Sequence, residues 1–333
     1  MVRDVVSTIN QFGLGTVFVT GSNGTLRATV TDGDVRRALL AGHGLDSPAE
    51  TAFNTNFLAL EEGADSAHIA AQGAIKGFRE YPVVDSDGRL VCVEVLGNRR
   101  ESIARDNTVV IMAGGKGLRL RPLTEETPKP LLRVGGKPIL QHIIDNLRDE
   151  GFSDIVLAIN YLGEQIESYF QDGSRFGVNI RYVKEDQALG TAGALSLLQE
   201  PISSPIVVMN GDLVLAASVG KMVDYHLDKH ATITVGAKVV ETTIPFGVLS
   251  TQGLVIDGIE EKPTHRDLVN AGVYILNSEV FASLSDDQVA DMPELILENV
   301  GGRKVLVFPM HETWADLGRP ADLSRANDLM GGA

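Results

Sequence analysis

From Thr108 onward the chain alternates short apolar runs with amphipathic stretches. Thr108–Met112 (TVVIM) reads as a buried strand that runs into glycines. Ile139, Leu140, Ile143, Ile144 and Leu147 recur at helical spacing and mark one face of a helix. Ile155–Ile159 predicts a strand, Leu162–Phe170 a helix, Asn179–Val183 a strand, Thr191–Leu198 a helix, and Pro205–Met209 (PIVVM) another buried strand. Repeated alternation of this kind predicts an α/β domain, a mostly parallel sheet covered by helices on both faces. In such sheets ligands bind beyond the carboxyl ends of the strands, which points to the loops 113–118, 184–191 and 210–213.

The first hundred residues have another pattern and predict a small α+β module. Thr16–Thr20 and Leu26–Thr31 are short strands around Ser22-Asn23-Gly24, and Asp34–Leu40 is a short helix. Residues 65–78 read as helical, and Tyr81–Val84 and Leu90–Val95 are strands around Asp87-Gly88. A strand–turn–strand unit thus occurs twice, about 65 residues apart, longer than the periods of typical solenoids. The polar stretch Gly97–Asn107 marks the boundary, giving a module over 1–103 and a larger domain over 108–333.

Composition narrows the function classes. Hydrophobic residues make up 44% and charged residues 22% of the 333, ordinary globular values. The net charge of −15 argues against a nucleic-acid or anionic-membrane partner, because both need a basic surface. The single cysteine, Cys92, excludes an intrachain disulfide and reads as a small buried hydrophobe. No apolar run reaches the roughly 18 residues a membrane span needs, and no basic-then-apolar leader opens the chain. The expectation is a soluble cytoplasmic protein.

Against that acidic background, Val109–Pro138 inverts the sign. The strand ends in Ala113-Gly114-Gly115-Lys116-Gly117, and residues 116–137 carry Lys116, Arg119, Arg121, Lys129, Arg133 and Lys137 against only Glu125 and Glu126. Successive backbone N–H groups of a glycine loop form a nest for an anion, and nearby cations suit a polyphosphate. The GxxxxGK[ST] loop is absent, and Pro122 comes too soon for GxGxxG followed by a helix. The bland alternative is a glycine turn followed by a solvated basic face. Asp212, in Asn210-Gly211-Asp212, stands just past a buried strand, where a metal carboxylate or a simple Asx turn would sit.

The run MAGGKGLRLRPLTEETPKPLL (112–132) closely resembles the signature of the sugar-1-phosphate nucleotidyltransferases. The similarity continues through most of residues 108–329. It implies a Rossmann-like three-layer domain of GT-A-like type that transfers a nucleoside monophosphate from a nucleoside triphosphate to a sugar 1-phosphate. Pyrophosphate leaves and a nucleotide sugar forms. The attacking phosphate oxygen is already an anion, so catalysis reduces to in-line positioning and charge neutralisation. The resemblance implies Mg²⁺ held by Asp212 and by Asp316 in Trp314-Ala315-Asp316-Leu317-Gly318; an N-cap role for Asp316 leaves the spacing to the next helix too long. It places Ala113, Gly114, Gly115, Gly117 and Arg119 on the triphosphate and Lys129 among the phosphates. Glu260-Glu261-Lys262-Pro263 matches the family's Glu-Lys-Pro, with Lys262 on the sugar phosphate and Glu261 on a sugar hydroxyl. Phe246-Gly247 and Asn270-Ala271-Gly272 resemble sugar-contacting segments, a β-bulge being the alternative for those glycines. Glu185–Gly193 resembles the base and ribose loop, with Gln187, Gly190 and Thr191 on the nucleotide; Thr191 also reads as a helix N-cap. Leu118 stands where many members have Thr or Ser. The chain carries no left-handed β-helix after residue 333, which speaks against bifunctional acetyltransferase and bacterial ADP-glucose types.

Ala28–Asp34 resembles the adenosine-contacting motif of CBS domains, with Thr31 and Asp34 at its ribose and phosphate positions. The second repeat has Val95 and Asn98 there instead, so a full second site is lost. The module is therefore read either as an adenine-nucleotide sensor or as a packing or dimerisation element. Together with Gln171–Gly177 it most resembles a subgroup linked to guanylyl transfer, with mannose- and glucosamine-1-phosphate guanylyltransferases among its relatives. GTP is the expected donor. The acceptor is a hexose, amino-hexose or heptose 1-phosphate for surface glycans, and a homo-oligomer is expected. The rivals are a thymidylyl-, uridylyl- or cytidylyltransferase, and a catalytically silent sugar-nucleotide sensor.

Overall fold

The computed structural model describes residues 1–12, 15–61, 80–95, 104–198, 202, 205–282, 284–285 and 288–331. The helix expected at 65–78, Asn98 and the first part of the 97–107 boundary lie outside them. The chain divides into two compact units, Met1–Glu101 and Ser102–Ala333.

In the first unit, α1 (Val2–Phe12) precedes the hairpin of β1 (Thr16–Thr20) and β2 (Leu26–Thr31), and α2 (Asp32–Leu40) follows. A second small sheet holds β3 (Leu60–Glu61), β4 (Glu80–Val84) and β5 (Leu90–Val95). The two hairpin turns pair with each other: Leu26 N donates to Gly88 O at 2.9 Å and Leu90 N to Gly24 O at 3.0 Å. This reciprocity is what two related strand–turn–strand units produce when they meet about a local two-fold axis. Cys92 is exposed on the edge strand β5, not buried as its apolar neighbours suggested.

The second unit is an α/β domain with a seven-stranded sheet. Its strands are β6 (Val109–Met112), β9 (Asp154–Ile159), β10 (Asn179–Lys184), β11 (Ile206–Asn210), β13 (Ile233–Thr243), β16 (Thr264–Leu276) and β17 (Val305–Met310). The order is β10-β9-β6-β11-β16-β13-β17, and only β16 runs against the others. Alternate side chains of each strand enter opposite layers, as the two-residue period requires. Val109, Ile111, Leu157 and Met209 pack with α3 (Ile139–Asp149), whereas Val110, Val156 and Val208 pack with Leu195, Met292 and Leu295 on the other face. Truncating one of these buried aliphatic side chains to alanine costs about 2–5 kcal/mol.

Residues 190–198 depart from the expected helix. A single α-turn, α5 (Gly190–Gly193), passes into a 3₁₀ turn at Ala194–Leu197. Two glycines in four residues give poor helix propensity, and the loop makes its hydrogen bonds to residues 290–292 instead. The chain crosses from β6 to β9 on one side and on to β11 on the other, so the end of β6 is a topological switch point where a ligand crevice opens. Among the described residues no helix is long and apolar enough to cross a membrane.

Candidate active site

The glycine loop leaves β6 at that switch point and is fixed from below. Ala113 N donates to Ala158 O on β9 at 2.8 Å. A Cβ at Gly114 would lie 3.0 Å from the Cβ of Asn160 and 3.4 Å from Oε1 of Glu185. Gly117 has φ 59°, and a Cβ there would lie 2.9 Å from Cγ2 of Thr124. Thr124, wholly buried, donates its hydroxyl to Gly117 O at 2.8 Å, so the threonine of the Pro-Leu-Thr motif holds the loop. Gly115 differs: no atom lies within 4 Å of its would-be Cβ, and its backbone faces open space. Tyr161 Oη and Gln165 Nε2 donate to the carbonyls of Glu125 and Glu126, at 3.0 and 2.9 Å, tying down the rest of the segment. Leu118 is 60% exposed on the turn that carries Arg119.

The two candidate metal carboxylates are far apart in sequence and adjacent in the fold. Asp212 follows β11 and opens into β12 (Leu213–Leu215), which pairs antiparallel with β18 (Trp314–Asp316), Leu213 opposite Asp316. Leu317 N donates to Asp212 O at 3.1 Å and closes the register. Lys129 forms an ion pair with Asp212 Oδ2, and its Nζ lies 3.9 Å from Asp316 Oδ1. Burial pushes the Asp316 carboxyl up from its ordinary pKa, the charge of Asp212 adds to that, and Lys129 and Arg119 pull the other way. Arg119 is therefore within electrostatic reach of the same group. The would-be Cβ of Gly318 lies 3.3 Å from Asp316 Oδ1 and 3.6 Å from Arg119 Nη1, so the backbone passes close to both charged groups. Asp212 Oδ1 is buried and has no hydrogen-bond partner. A buried, unsatisfied carboxylate oxygen beside a second, destabilised carboxylate is a donor set that fits a hard divalent cation such as Mg²⁺.

Of the six basic residues in 116–137, Lys129 pairs with these carboxylates and Arg119 acts on Asp316 through its charge. Lys137 pairs with Asp145 at 3.0 Å and Arg133 donates to Gly136 O at 2.6 Å, both outside the site. Lys238 was not singled out from sequence. Its half-buried ammonium donates to His311 O and Glu312 O, at 3.1 and 2.8 Å, and so holds the turn that leads into β18; burial pushes its pKa down.

The base-side loop contains a second residue the sequence reading passed over. Glu185 Oε2 accepts from Leu189 N at 3.1 Å, and burial pushes this carboxyl up against that bond's opposite effect. Gln187 is exposed. Gly190 has φ 81°, and its would-be Cβ would lie 2.5 Å from Ala290 O, so the chain's own backbone already requires glycine there. Thr191 does not cap the turn that follows it. Its hydroxyl accepts from Met292 N at 2.8 Å and caps α8 (Met292–Asn299) from outside that helix.

The sugar-side residues stand on more exposed structure. β14 (Gly247–Gln252) and β15 (Val255–Glu261) form a ribbon with Gly247 opposite Glu261, and a Cβ at Gly247 would lie 2.8 Å from Glu261 Oε1. Lys262 has φ 50°, donates its amide to Phe246 O at 3.2 Å and holds its side chain in solvent. Among the described residues no ion pair or hydrogen bond joins its ammonium to the Asp212–Asp316 cluster. Asn270-Ala271-Gly272 forms a bulge against β13, where the register shifts between Val235 and Ala237. Asn270 Oδ1 accepts from Gly272 N at 3.0 Å, and Gly272, at φ 74°, admits the side chain of Asn210. Trp314 Nε1 donates to Ala271 O at 2.9 Å, which links the bulge to the strand that carries Asp316.

The nucleotidyl transferase family model matches residues 108–331. The chain belongs to that family. The mannose-1-phosphate guanyltransferase of Yarrowia lipolytica is 36% identical over 222 residues, 64% of this chain and 61% of that one. The UTP–glucose-1-phosphate uridylyltransferase of Synechocystis sp. is 32% identical over 245 residues, 65% of this chain and 61% of that one. The chain thus spans about three fifths of the length of these curated relatives. Among solved structures, HddC from Yersinia pseudotuberculosis complexed with GMP-PN superposes with a TM-score of 0.54 at 25% identity, covering 67% of this chain and 99% of that one. Family membership accounts for the α/β sheet and for the position of the glycine loop at its switch point.

Proposed function

We propose that the nucleotidyl transferase domain moves a nucleoside monophosphate, GMP by preference, from its triphosphate to a sugar 1-phosphate and releases pyrophosphate. The observation that carries this reading is the pairing of Asp212 and Asp316 across β12 and β18, with Lys129 between them and one oxygen of Asp212 unsatisfied. Asp212 and Asp316 would hold Mg²⁺, which when bound supplies charge for the phosphates. The open backbone at Gly115 and the cation of Arg119 receive the triphosphate. Lys262, on its exposed ribbon, meets the sugar phosphate beside Glu261, Asn270 and the Gly272 bulge. The acceptor is a hexose, amino-hexose or heptose 1-phosphate.

The preference for guanine rests on Glu185. A carboxylate accepts hydrogen bonds and donates none. Guanine presents adjacent N1–H and N2–H donors, which two carboxylate oxygens can take together. Uracil and thymine present one N–H flanked by two carbonyls, which repel an anion. The named guanylyl relatives point the same way, and the uridylyl relative supplies the competing reading.

The test is pyrophosphate release from each common nucleoside triphosphate with a panel of sugar 1-phosphates and Mg²⁺. GTP is expected to give the highest kcat/KM. A higher value for UTP, dTTP or CTP would move the base assignment, and nucleotide binding with no turnover for any pair would make the protein a sensor.

For the first unit we propose a CBS-like pair that acts by packing. The reciprocal pairing of its two hairpin turns supports the pair. Thr31 caps α2, and Asp34, 4% exposed, closes that capping box, so both side chains already have partners. A cavity beside them, lined by Thr29, Thr31, Asn54, Phe57, Glu80 and Tyr81, measures about 70 Å³. That is well below the roughly 300 Å³ from which small-molecule pockets begin. Calorimetry of the full chain with AMP and ATP is expected to show no site beyond the catalytic one; saturable AMP binding lost in Asp34→Ala would restore the sensor reading.

A further inference from the structure

We propose that Asp291 is a positioning residue that fixes the base-side loop and thereby sets the discrimination between nucleobases; this rests on the nucleotidyl-transfer reading above. The observation is an N-cap residue whose side chain serves another segment. Asp291 has the backbone of an N-cap for α8, φ −103° and ψ 146°, yet its carboxylate makes no bond to that helix. Aspartate at this position ordinarily accepts from the second or third amide of its own helix. Here Oδ1 accepts instead from Thr191 N at 2.9 Å and from Thr191 Oγ1 at 3.1 Å. The same threonine hydroxyl, having donated its proton to Asp291, accepts from Met292 N at 2.8 Å. The cap has been exchanged: Asp291 serves the loop, and the loop's hydroxyl serves the helix.

Backbone bonds complete the latch. Ala290 O accepts from Ala192 N and Gly193 N at 2.9 and 3.0 Å, and Ala290 N donates to Leu189 O at 2.9 Å. Leu189 N in turn donates to Glu185, the carboxylate assigned to the base edge. On the other side, Met292 is wholly buried and packs with Leu295 beneath the sheet, so α8 is a rigid anchor. A chain of contacts therefore runs from the core through Asp291 and Thr191 to Gly190, Leu189 and Glu185. Base selection needs acceptors held to a fraction of an ångström, and a loop on four residues of irregular turn has no regular ladder to hold it.

The experiment compares wild type, Asp291→Ala, Asp291→Ser and Asp291→Asn in full-length protein. Nucleotide affinity and kcat/KM are measured for GTP, UTP, dTTP and CTP, with thermal melting alongside. Asp291→Asn keeps an acceptor at Oδ1 and should retain the wild-type base preference. Asp291→Ser can cap α8 itself but is one atom too short for Thr191, so it should fold while losing the latch. Asp291→Ala and Asp291→Ser should raise KM for the preferred nucleotide about tenfold and shrink its lead over the others by a similar factor. The kcat at saturation and KM for the sugar 1-phosphate should change less than about twofold. An unchanged base ratio in Asp291→Ser, or an equal fall in kcat for all four nucleotides, would overturn the proposal. If the wild type prefers a base other than guanine, the guanine assignment fails and the latch is judged on that base. A wild type that binds no nucleotide would overturn both.

Discussion

The two halves of the candidate site are built in opposite ways. On the proposed nucleotide side, a chain of contacts runs from Thr124 and Gly117 through Lys129 to Asp212 and Asp316 and on to Gly318, and each charge has a neighbour that shifts or balances it. On the proposed sugar side, Gly247, Glu261 and Lys262 sit on or beside a two-stranded ribbon that is exposed at every position but Gly258. A two-stranded ribbon alone is marginally stable in water. The difference matches the two tasks. Charge that develops on phosphates is best met by dipoles and ions already in place, because reorganising them would add to the barrier. On the proposed reading, the sugar phosphate would meet a segment that needs only one fixed anchor. The bulge at Gly272, packed by Asn210 and tied to Trp314, would be that anchor.

The largest break in this contrast is expected at the fixed side. Asp212→Ala removes the unpartnered oxygen of the proposed metal site and leaves Lys129, largely buried, with only the more distant Asp316 at 3.9 Å. Turnover should fall about 100- to 1,000-fold, the scale of losing one preorganised charge contact. The melting temperature should also fall, because a largely buried charge that loses its nearer partner is destabilising. Near wild-type pyrophosphate release in this variant would remove Asp212 from the metal site.

Lys262→Ala tests the other half. Its ammonium has no partner in the described structure, so stability should stay within about 0.5 kcal/mol of wild type. A lost charge-assisted bond of about 1.5–3 kcal/mol should raise KM for the sugar 1-phosphate about 10- to 100-fold and leave the KM for the nucleotide in place. If the nucleotide KM rose instead, the exposed ribbon would belong to the donor side and the contrast would collapse.

Much of this division was legible in the sequence, but unevenly. The strand periodicity placed β6, β9, β10 and β11, and the switch-point rule placed their loops, because both depend on local pattern alone. The proximity of Asp212 and Asp316 had no local signal: it follows from the antiparallel register of β12 with β18, and only the family resemblance brought the two aspartates together on paper. Within Glu185–Gly193 the sequence pattern points to Gln187 and gives Glu185 no separate signal, since the burial and the Leu189 amide that distinguish Glu185 are tertiary facts. The family pattern sets Gly190 against the base, and the backbone of Ala290, a hundred residues on, excludes a side chain there for a separate reason that local sequence does not show. The exchanged cap between Thr191 and Asp291 was invisible for the same reason, because an N-cap motif is read from neighbours in sequence.

A pair of glycine substitutions sharpens the contrast at smaller scale. Gly190→Ala forces a Cβ to 2.5 Å from a carbonyl at φ 81° and should cost at least about 1–3 kcal/mol of stability. Gly115→Ala meets nothing within 4 Å and should leave stability within about 0.5 kcal/mol. Its effect should appear only when the triphosphate is added, as weaker binding. Denaturant melts with and without nucleotide separate the two. Equal stability losses would mean that Gly115 is a packing glycine like Gly190.

The smallest expected effect concerns Glu185, the half-buried carboxylate proposed to read the base. Burial raises the pKa of this carboxyl in the folded chain above its unfolded value, so the folded state holds the proton more tightly than the unfolded one. The stabilising contribution is then complete below the unfolded value, about 4.3 for a glutamate, and is lost as pH rises through the higher folded value. At neutral pH the folded protein carries a partly desolvated carboxylate that would be better neutral. Glu185→Gln keeps an oxygen for Leu189 N and removes the charge. It should therefore melt above wild type at pH 7–8, and the gap should close as pH falls toward 4. Added GTP should act in the opposite sense. Two guanine N–H donors would satisfy the carboxylate, so GTP should stabilise the wild type more than Glu185→Gln, while UTP should not separate them. A melting difference independent of pH, or equal stabilisation by GTP, would show that the carboxylate at 185 is not waiting for a base.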